Sequence, residues 1–360
     1  MILVAGAGIA GLSLARELAR SGASVTVLDA GTIACGASGV ATSYLEPRLG
    51  TTPLRKVEWE AARQWPAFAE ELTGETGIDV GYQTAGQIRV ALAENEDKFR
   101  KDLTTRRAQG WQVEDLEISD LQHLLPPLGK DVQLAALLPQ VRWVNGRKVC
   151  LALAAQIGQL GGTVLENHRI EKVSANGGSV AVECNQGRRF QGDKLVIALG
   201  FDARVISGLP SDFPVSRPVR GVNLTLDLTD RIGPVAHMVK HHRGNFCPRE
   251  DNRLIVGTTY EPGETSLTVG DEVIEKILQN AEPIFPFVRH CPISDIQAGI
   301  RAKVGDGALR LGRSQEQPAI YWSASHAGAG FLRAPVVARE LAQLVLGGTR
   351  SGFCEPFISC

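Results

Sequence analysis

The sequence predicts an α/β fold in which a discontinuous unit on a parallel sheet is joined to a second unit on a mixed or antiparallel sheet. Three observations carry this expectation. First, the chain opens with apolar Ile2–Ala5, passes a glycine turn, spaces Leu14, Leu18 and Ala19 as a helix over Leu12 to Ser21 would, and resumes as a strand over Ser24 to Leu28. That order is a βαβ unit, whose crossover is right-handed and whose strands are parallel. Second, segments of the same character return much later. Val149 to Leu160 reads as a helix stopped by Gly161-Gly162, Thr163 to Glu166 as a strand, Lys194 to Ala198 as a buried strand ending near Gly200, and Pro335 to Val345 as an apolar helix. Third, Gln87 to Ala91, Val219 to Leu226 and Arg253 to Thr258 are strand candidates that suit a sheet with one covered face. The expected division is 1–80, 145–215 and 297–360 for the first unit, and 81–144 and 216–296 for the second. Helices over Leu54 to Thr73 and Gly270 to Ala281 are expected to decorate the second unit. The sequence has no internal repeat and no low-complexity tract.

Bulk properties bound the function. A chain of 360 residues exceeds one simple core. Hydrophobic residues at 44% and charged residues at 21% exclude a disordered chain or a coiled coil. The 38 basic and 39 acidic residues leave a net charge of −1, with no long run of either sign to select nucleic acid or anionic lipid, so a small-molecule partner is expected. Seven scattered cysteines (35, 150, 184, 247, 291, 354 and 360), with no Cys-x-x-Cys pair, fit a reducing compartment and hence a cytoplasmic location. Residues 1–19 carry Gly6, Gly8 and Gly11 and lack a positively charged opening, so they read as fold and not as a signal peptide. No apolar stretch reaches the ~18 residues of a membrane span.

Gly6-Ala7-Gly8-Ile9-Ala10-Gly11 follows a strand and opens a helix, the context a dinucleotide fingerprint requires. Gly6 permits the tight turn, Gly8 lets a pyrophosphate approach the backbone, and Gly11 allows close helix–strand packing, while unpaired helix amides attract the anion. Asp29 follows 18 residues after Gly11, where a carboxylate accepts hydrogen bonds from ribose hydroxyls and repels a 2′-phosphate. The motif predicts a Rossmann-like unit and disfavours NADP. By itself it does not separate FAD from NAD.

Across nearly its whole length the chain resembles the glycine oxidase branch of the D-amino-acid oxidase and sarcosine oxidase superfamily of flavoenzymes. The resemblance rests on the fingerprint through Asp29, Gly36-Ala37-Ser38-Gly39-Val40-Ala41-Thr42, and Thr84-Ala85-Gly86-Gln87-Ile88. It continues in Pro218-Val219-Arg220-Gly221, Phe246-Cys247-Pro248-Arg249, Leu254-Ile255-Val256-Gly257, Ala298-Gly299-Ile300-Arg301, Asp306-Gly307, Leu311-Gly312 and the loop from Ser325-His326 to Gly330.

That resemblance implies an FAD-binding unit and a substrate-binding unit. It places the pyrophosphate at Gly8, Ile9, Ala10 and Gly11, the ribose at Asp29 and Ala30, and the flavin near Ser38, Ala41, Thr42 and Ser43. The Ile170 backbone is expected to face the adenine, and Gly200 joins the cofactor set. The loop His326, Ala327, Gly328, Ala329, Gly330, Phe331 and Leu332 is expected at the pyrimidine side of the ring. Arg301 matches the family's carboxylate-binding arginine, a role its planar, permanently charged guanidinium suits. Phe246 stands where glycine oxidases commonly carry a tyrosine over the substrate, and Gly328 where relatives have an arginine, so the pocket is expected to be less polar or larger. Relatives that attach flavin covalently use a cysteine near the arginine block, and none lies between Cys291 and Cys354 here, so FAD is expected to be non-covalent.

The implied reaction is hydride transfer from the α-carbon of a small amino acid, most readily glycine, to flavin. It gives an imine or 2-oxo acid, ammonia and, with oxygen as acceptor, hydrogen peroxide; the imine can feed thiamine thiazole synthesis. Such chemistry needs alignment more than a side-chain base, so Arg301, Phe246 and His326 are the catalytic candidates. No metal is expected: His241 and His242 are adjacent, and neighbours on a strand point to opposite faces. Cys35 near the nucleotide site reads as a small buried thiol. A homo-oligomer is compatible with the sequence. The alternatives are a quinone-linked D-amino-acid dehydrogenase, a flavin-binding partner or sensor without turnover, and an enzyme acting on a modified nucleoside amine, which the balanced charge disfavours.

Overall fold

The computed structural model describes residues 1–176, 178–228 and 232–359. Two compact units emerge: Met1–Gly81, Asn145–Val219 and Ile300–Cys360 form the first, and Tyr82–Val144 with Arg220–Gly299 the second.

In the first unit the apolar runs Ile2–Ala5, Val25–Leu28 and Lys194–Ile197 are buried almost throughout, as strands covered on both faces require. They lie side by side in parallel, Ile2 opposite Val25 on one flank and opposite Lys194 on the other. Thr163–Leu165 and Ile320–Ala324 extend the sheet in parallel, and Arg310–Arg313 turns it antiparallel. The full order adds Ile358–Ser359 beyond Arg310–Arg313, seven strands among the described residues. The long helices of this unit are Ile9–Arg20, Pro53–Thr76, Gly146–Gln159 and Gly330–Leu346. A three-stranded antiparallel sheet of Ile170–Asn176, Ser179–Cys184 and Arg189–Gly192 contributes Ile170 and Val173 to the core around Leu3, Leu28 and Leu195.

Two of these helices depart from the sequence reading. The helix expected over Leu54 to Thr73 belongs to the first unit, as the expected division at residue 80 has it, and does not decorate the second. Its Trp65 is fully buried, and the indole Nε1 donates to the carbonyls of Phe331 (3.1 Å) and Leu332 (3.0 Å). The cause is Pro335, which has no N–H to offer the Phe331 carbonyl one turn back, so a neighbouring helix supplies the donor. The last helix starts at Gly330, five residues earlier than its apolar pattern suggested, because Pro335 hides the continuity of the turn before it.

The second unit is built on a mixed sheet whose strand order is Glu261–Pro262, Arg217–Asp227, Arg253–Gly257, Gly244–Arg249, Met238–His241, Gln87–Leu92, Val132–Leu138 and Glu114–Leu116, with Ile293–Lys303 pairing Arg217–Asp227. Only Met238–His241 and Gln87–Leu92 run parallel among the pairs whose register is defined. One face buries Ile88, Val90, Val222, Leu224, Phe246 and Val256 against Ile277, Ile284 and Phe285. No helix among the described residues is long and apolar enough to cross a membrane.

Candidate functional site

The glycines of the N-terminal turn sit where side chains cannot. Gly6 has φ +110°, and a Cβ there would lie 2.6 Å from the Ala198 carbonyl oxygen. A Cβ on Gly11 would meet the Gly6 carbonyl oxygen at 2.0 Å, so the helix approaches the strand closely because this residue lacks one. The helix begins at Ile9 with Gly8 as its N-cap and no side-chain cap. Ser38 Oγ accepts from the Ile9 amide at 3.0 Å, tying the segment after the second strand to the first turn. Asp29 also serves the turn itself: its carboxylate accepts from the Ala7 amide at 2.6 Å and the Gly31 amide at 2.9 Å. Ala30 is half-buried beside it.

Ser43 occupies the left-handed region at φ +55° and, like Thr42, is buried; Ala41 directly follows the short helix Ala37–Val40. Ile170 is buried in the antiparallel sheet, and the Asp29 carbonyl accepts from the His168 amide at 2.6 Å, which brings the start of that sheet to the end of the second strand. Gly200, at φ +60°, opens a short turn with free space where its side chain would be.

The segment Ser325 to Leu332 approaches the same place. Ser325 (φ +61°) and Ala327 (φ +50°) both hold left-handed backbone without being glycine, a cost that structures retain where a loop is over-determined by its surroundings. Ser325 Oγ accepts from the Val304 amide at 3.0 Å. A Cβ on Gly330 would sit 3.3 Å from Ile9 Cγ2, so this loop reaches the fingerprint helix, whereas Gly328 faces open space. His326 Nε2 lies 2.9 Å from Ser323 Oγ, and its Nδ1 is buried with no partner among the described residues. Burial, with the Arg333 charge adding to it, pushes the imidazole down to about 3, so it is neutral near pH 7.

Beneath the loop is a charge network that sequence reasoning missed. Glu58 and Arg333 are both fully buried, with Arg333 Nη2 donating to Glu58 Oε1 at 2.7 Å. Arg333 Nη1 also donates to the His326 carbonyl at 3.2 Å, while Arg48 and Arg55 bring further donors to Glu58. Burial alone would raise the Glu58 carboxyl. The Arg48 hydrogen bonds and the Arg333 charge outweigh it and hold the group below its ordinary value. Gly146 was missed as well: a Cβ there would lie 2.3 Å from Ser43 Oγ and 2.6 Å from Phe331 Cζ, so the start of that helix, Ser43 and the loop converge. Its signal was available in Asn145-Gly146, where Asn145 caps the helix by accepting from the Lys148 amide at 3.2 Å.

The remaining candidates fare differently. Arg301 is half-buried near the end of Ile293–Lys303, within the first unit. Phe246 requires a correction: it is 1% exposed, its ring meets Phe285 edge-on at 4.9 Å, and it belongs to the apolar core of the second unit. Alternation along Gly244–Arg249 turns Phe246 to the helix-covered face, so it drops out of the set proposed to touch substrate. Cys35 is exposed, not buried, and its thiol is pushed up to about 11 by partial desolvation and by Asp29. His241 and His242 do not point apart. Their ring centroids are 4.0 Å from each other, because the strand ends at His241 and His242 already lies in the turn, where alternation no longer applies.

The donor set fits a flavin dinucleotide on its own terms: a glycine turn closed to side chains, a helix start whose N-cap, Gly8, brings no side chain, an acidic group beside it, and a buried imidazole nitrogen left unpaired in the adjoining loop. Comparison with known proteins agrees. The profile of the family described as FAD dependent oxidoreductase matches residues 1–344. Glycine oxidase of Bacillus licheniformis is 27% identical over 352 residues, covering 96% of this chain and 92% of the relative. A polypeptide of the opine oxidase of Agrobacterium tumefaciens (strain Ach5) is 24% identical, covering 94% of this chain and 92% of its own. The crystal structure of glycine oxidase from Geobacillus kaustophilus superposes with a TM-score of 0.89 at 25% identity, covering 99% of this chain and 97% of that one. These relatives support FAD-dependent amine oxidation. The chain belongs to the DAO family of FAD-dependent oxidoreductases, and it is an enzyme whose cofactor is FAD.

Proposed function

We propose that this oxidoreductase is an amino acid oxidase that removes two electrons from the carbon–nitrogen bond of a small amino acid, glycine first, with non-covalently held FAD. The reading is carried by one observation: the segments 6–11 and 326–330 meet at Ile9, within a single unit that also contains Arg301. FAD, when bound, supplies the hydride acceptor. The residues proposed to hold it are those of the glycine turn, Asp29, Ser38, Thr42, Ser43, Ile170, Gly200 and the loop from His326 to Leu332. Arg301 binds the substrate carboxylate through its guanidinium fork and so orients the α-carbon. His326 stays neutral at working pH, offering a hydrogen-bonding nitrogen without adding positive charge. Arg333, through the His326 carbonyl, fixes the loop.

Loss of hydride from the α-carbon, with loss of a proton from nitrogen, leaves an imine that water hydrolyses to a 2-oxo acid and ammonia. Oxygen, taking up the two electrons as hydrogen peroxide, is the proposed acceptor, and transfer of the glycine imine to thiazole synthesis the proposed pathway. A cytoplasmic location completes the reading. The open space at Gly328 and the resemblance to an opine oxidase favour including N-substituted amino acids among the substrates tested.

Replacing Arg301 by Lys exchanges a bidentate fork for a point charge. Steady-state kinetics are expected to show a raised KM with FAD still bound; unchanged KM removes Arg301 from the site. Oxygen uptake with peroxide detection separates the oxidase from a quinone-linked dehydrogenase.

A further inference from the structure

The geometry points to a divalent transition-metal site at Glu94, His241 and His242 in the second unit, of the class that accepts imidazole and carboxylate together, such as Zn²⁺, Ni²⁺ or Cu²⁺. It is independent of the proposed substrate chemistry. One ligand atom from each of the three residues lies within 4.8 Å of the others, so a shift of about an ångström brings them to coordination distance. Glu94 and the histidine pair are far apart in sequence and are brought together because Gln87–Leu92 and Met238–His241 pair in parallel and both end at this corner.

Two further observations mark the cluster as more than a chance meeting of side chains. Asn95 Oδ1 accepts from the Leu92 amide at 3.0 Å, which fixes that atom as the oxygen, and His241 Nε2 lies 3.3 Å from it. The His241 proton is therefore on Nε2, with the ring oriented by a carboxamide, and Nδ1, which accepts from the Arg243 amide at 3.4 Å, is the nitrogen whose lone pair a metal takes over from that amide. The second observation is Arg243, whose guanidinium donates to Glu94 Oε1 and approaches His242 Nε2 at 3.3 Å. A cationic group thus already spans two of the three ligands. Imidazole and carboxylate ligation excludes Mg²⁺ and Ca²⁺, which take oxygen donors.

Metal binding displaces Arg243 and clips the turn after Met238–His241 to the turn after Gln87–Leu92. The test is titration of the purified FAD-loaded enzyme with Zn²⁺ against a chromophoric chelator. One equivalent is expected to bind. Glu94→Gln and His242→Ala, both at exposed positions, are each expected to weaken binding by about tenfold or more. Arg243→Ala is expected to tighten it. Absence of binding to the unsubstituted chain, binding that survives either ligand substitution, or an Arg243→Ala chain that binds no more tightly overturns the proposal.

Discussion

The loop above Glu58 and the core around Phe246 solve burial in opposite ways. In the second unit, Phe246 packs with Phe285, Val222, Val256 and Ile284, and its stability comes from apolar area removed from water. In the first unit, the segment from Ser325 to Arg333 is held by groups that are costly to bury: the Glu58–Arg333 pair, an indole N–H given to two carbonyls, and two non-glycine residues in left-handed backbone. An apolar core tolerates exchange of one hydrophobic side chain for another, whereas a satisfied polar network fails when one member is lost. Under the proposed function, the first region is the one whose shape is fixed for chemistry and the second is support.

Three substitutions break or sharpen that contrast. Glu58→Ala leaves the Arg333 charge buried and unpaired and is expected to cost about 3–5 kcal/mol in chemical denaturation. The depressed Glu58 pKa adds a sign: its folded value lies below its unfolded one, so its contribution is present above pH 4.5 and is lost as pH falls through the folded value. The acid limb of the stability profile should therefore be blunted in this variant; a loss below about 1 kcal/mol would show that the pair is not the loop's support. Trp65→Phe strips the donor from the Phe331 and Leu332 carbonyls and is expected to cost about 1–3 kcal/mol, together with weaker FAD retention on dialysis. Retention equal to the parent chain would separate that hydrogen bond from the cofactor site.

Phe246→Leu, in the apolar region, is expected to cost about 0.5–3 kcal/mol and to leave KM unchanged. A large KM effect with little loss of stability would return Phe246 to the substrate site.

The same contrast explains what the sequence revealed. The glycine turn, its strand context and Asp29 were legible because they are local: a few adjacent residues set the backbone, and the anion-binding logic follows from it. The apolar runs gave the parallel strands for the same reason. The Glu58–Arg333 pair was not legible, since its members are 275 residues apart and each reads alone as an ordinary charge on an amphipathic helix. Reading the Pro53–Thr76 helix as decoration of the second unit, against the expected boundary at residue 80, failed likewise, because the indole that docks it answers a donor missing at Pro335, far along the chain. Phe246 was assigned by family resemblance alone, which does not reveal that its ring packs edge-on against Phe285 in an apolar core. The His241–His242 pair was misread because the strand was assumed to continue where it ends.

The most direct measurement of the central claim is the flavin absorbance of the purified holoenzyme mixed anaerobically with glycine, sarcosine and D-alanine. The account predicts that at least one of them bleaches the oxidised flavin band, and that Arg301→Lys needs a higher concentration of the same compound to do so. A band that none of the three amines bleaches, in protein that dithionite still reduces, would contradict it.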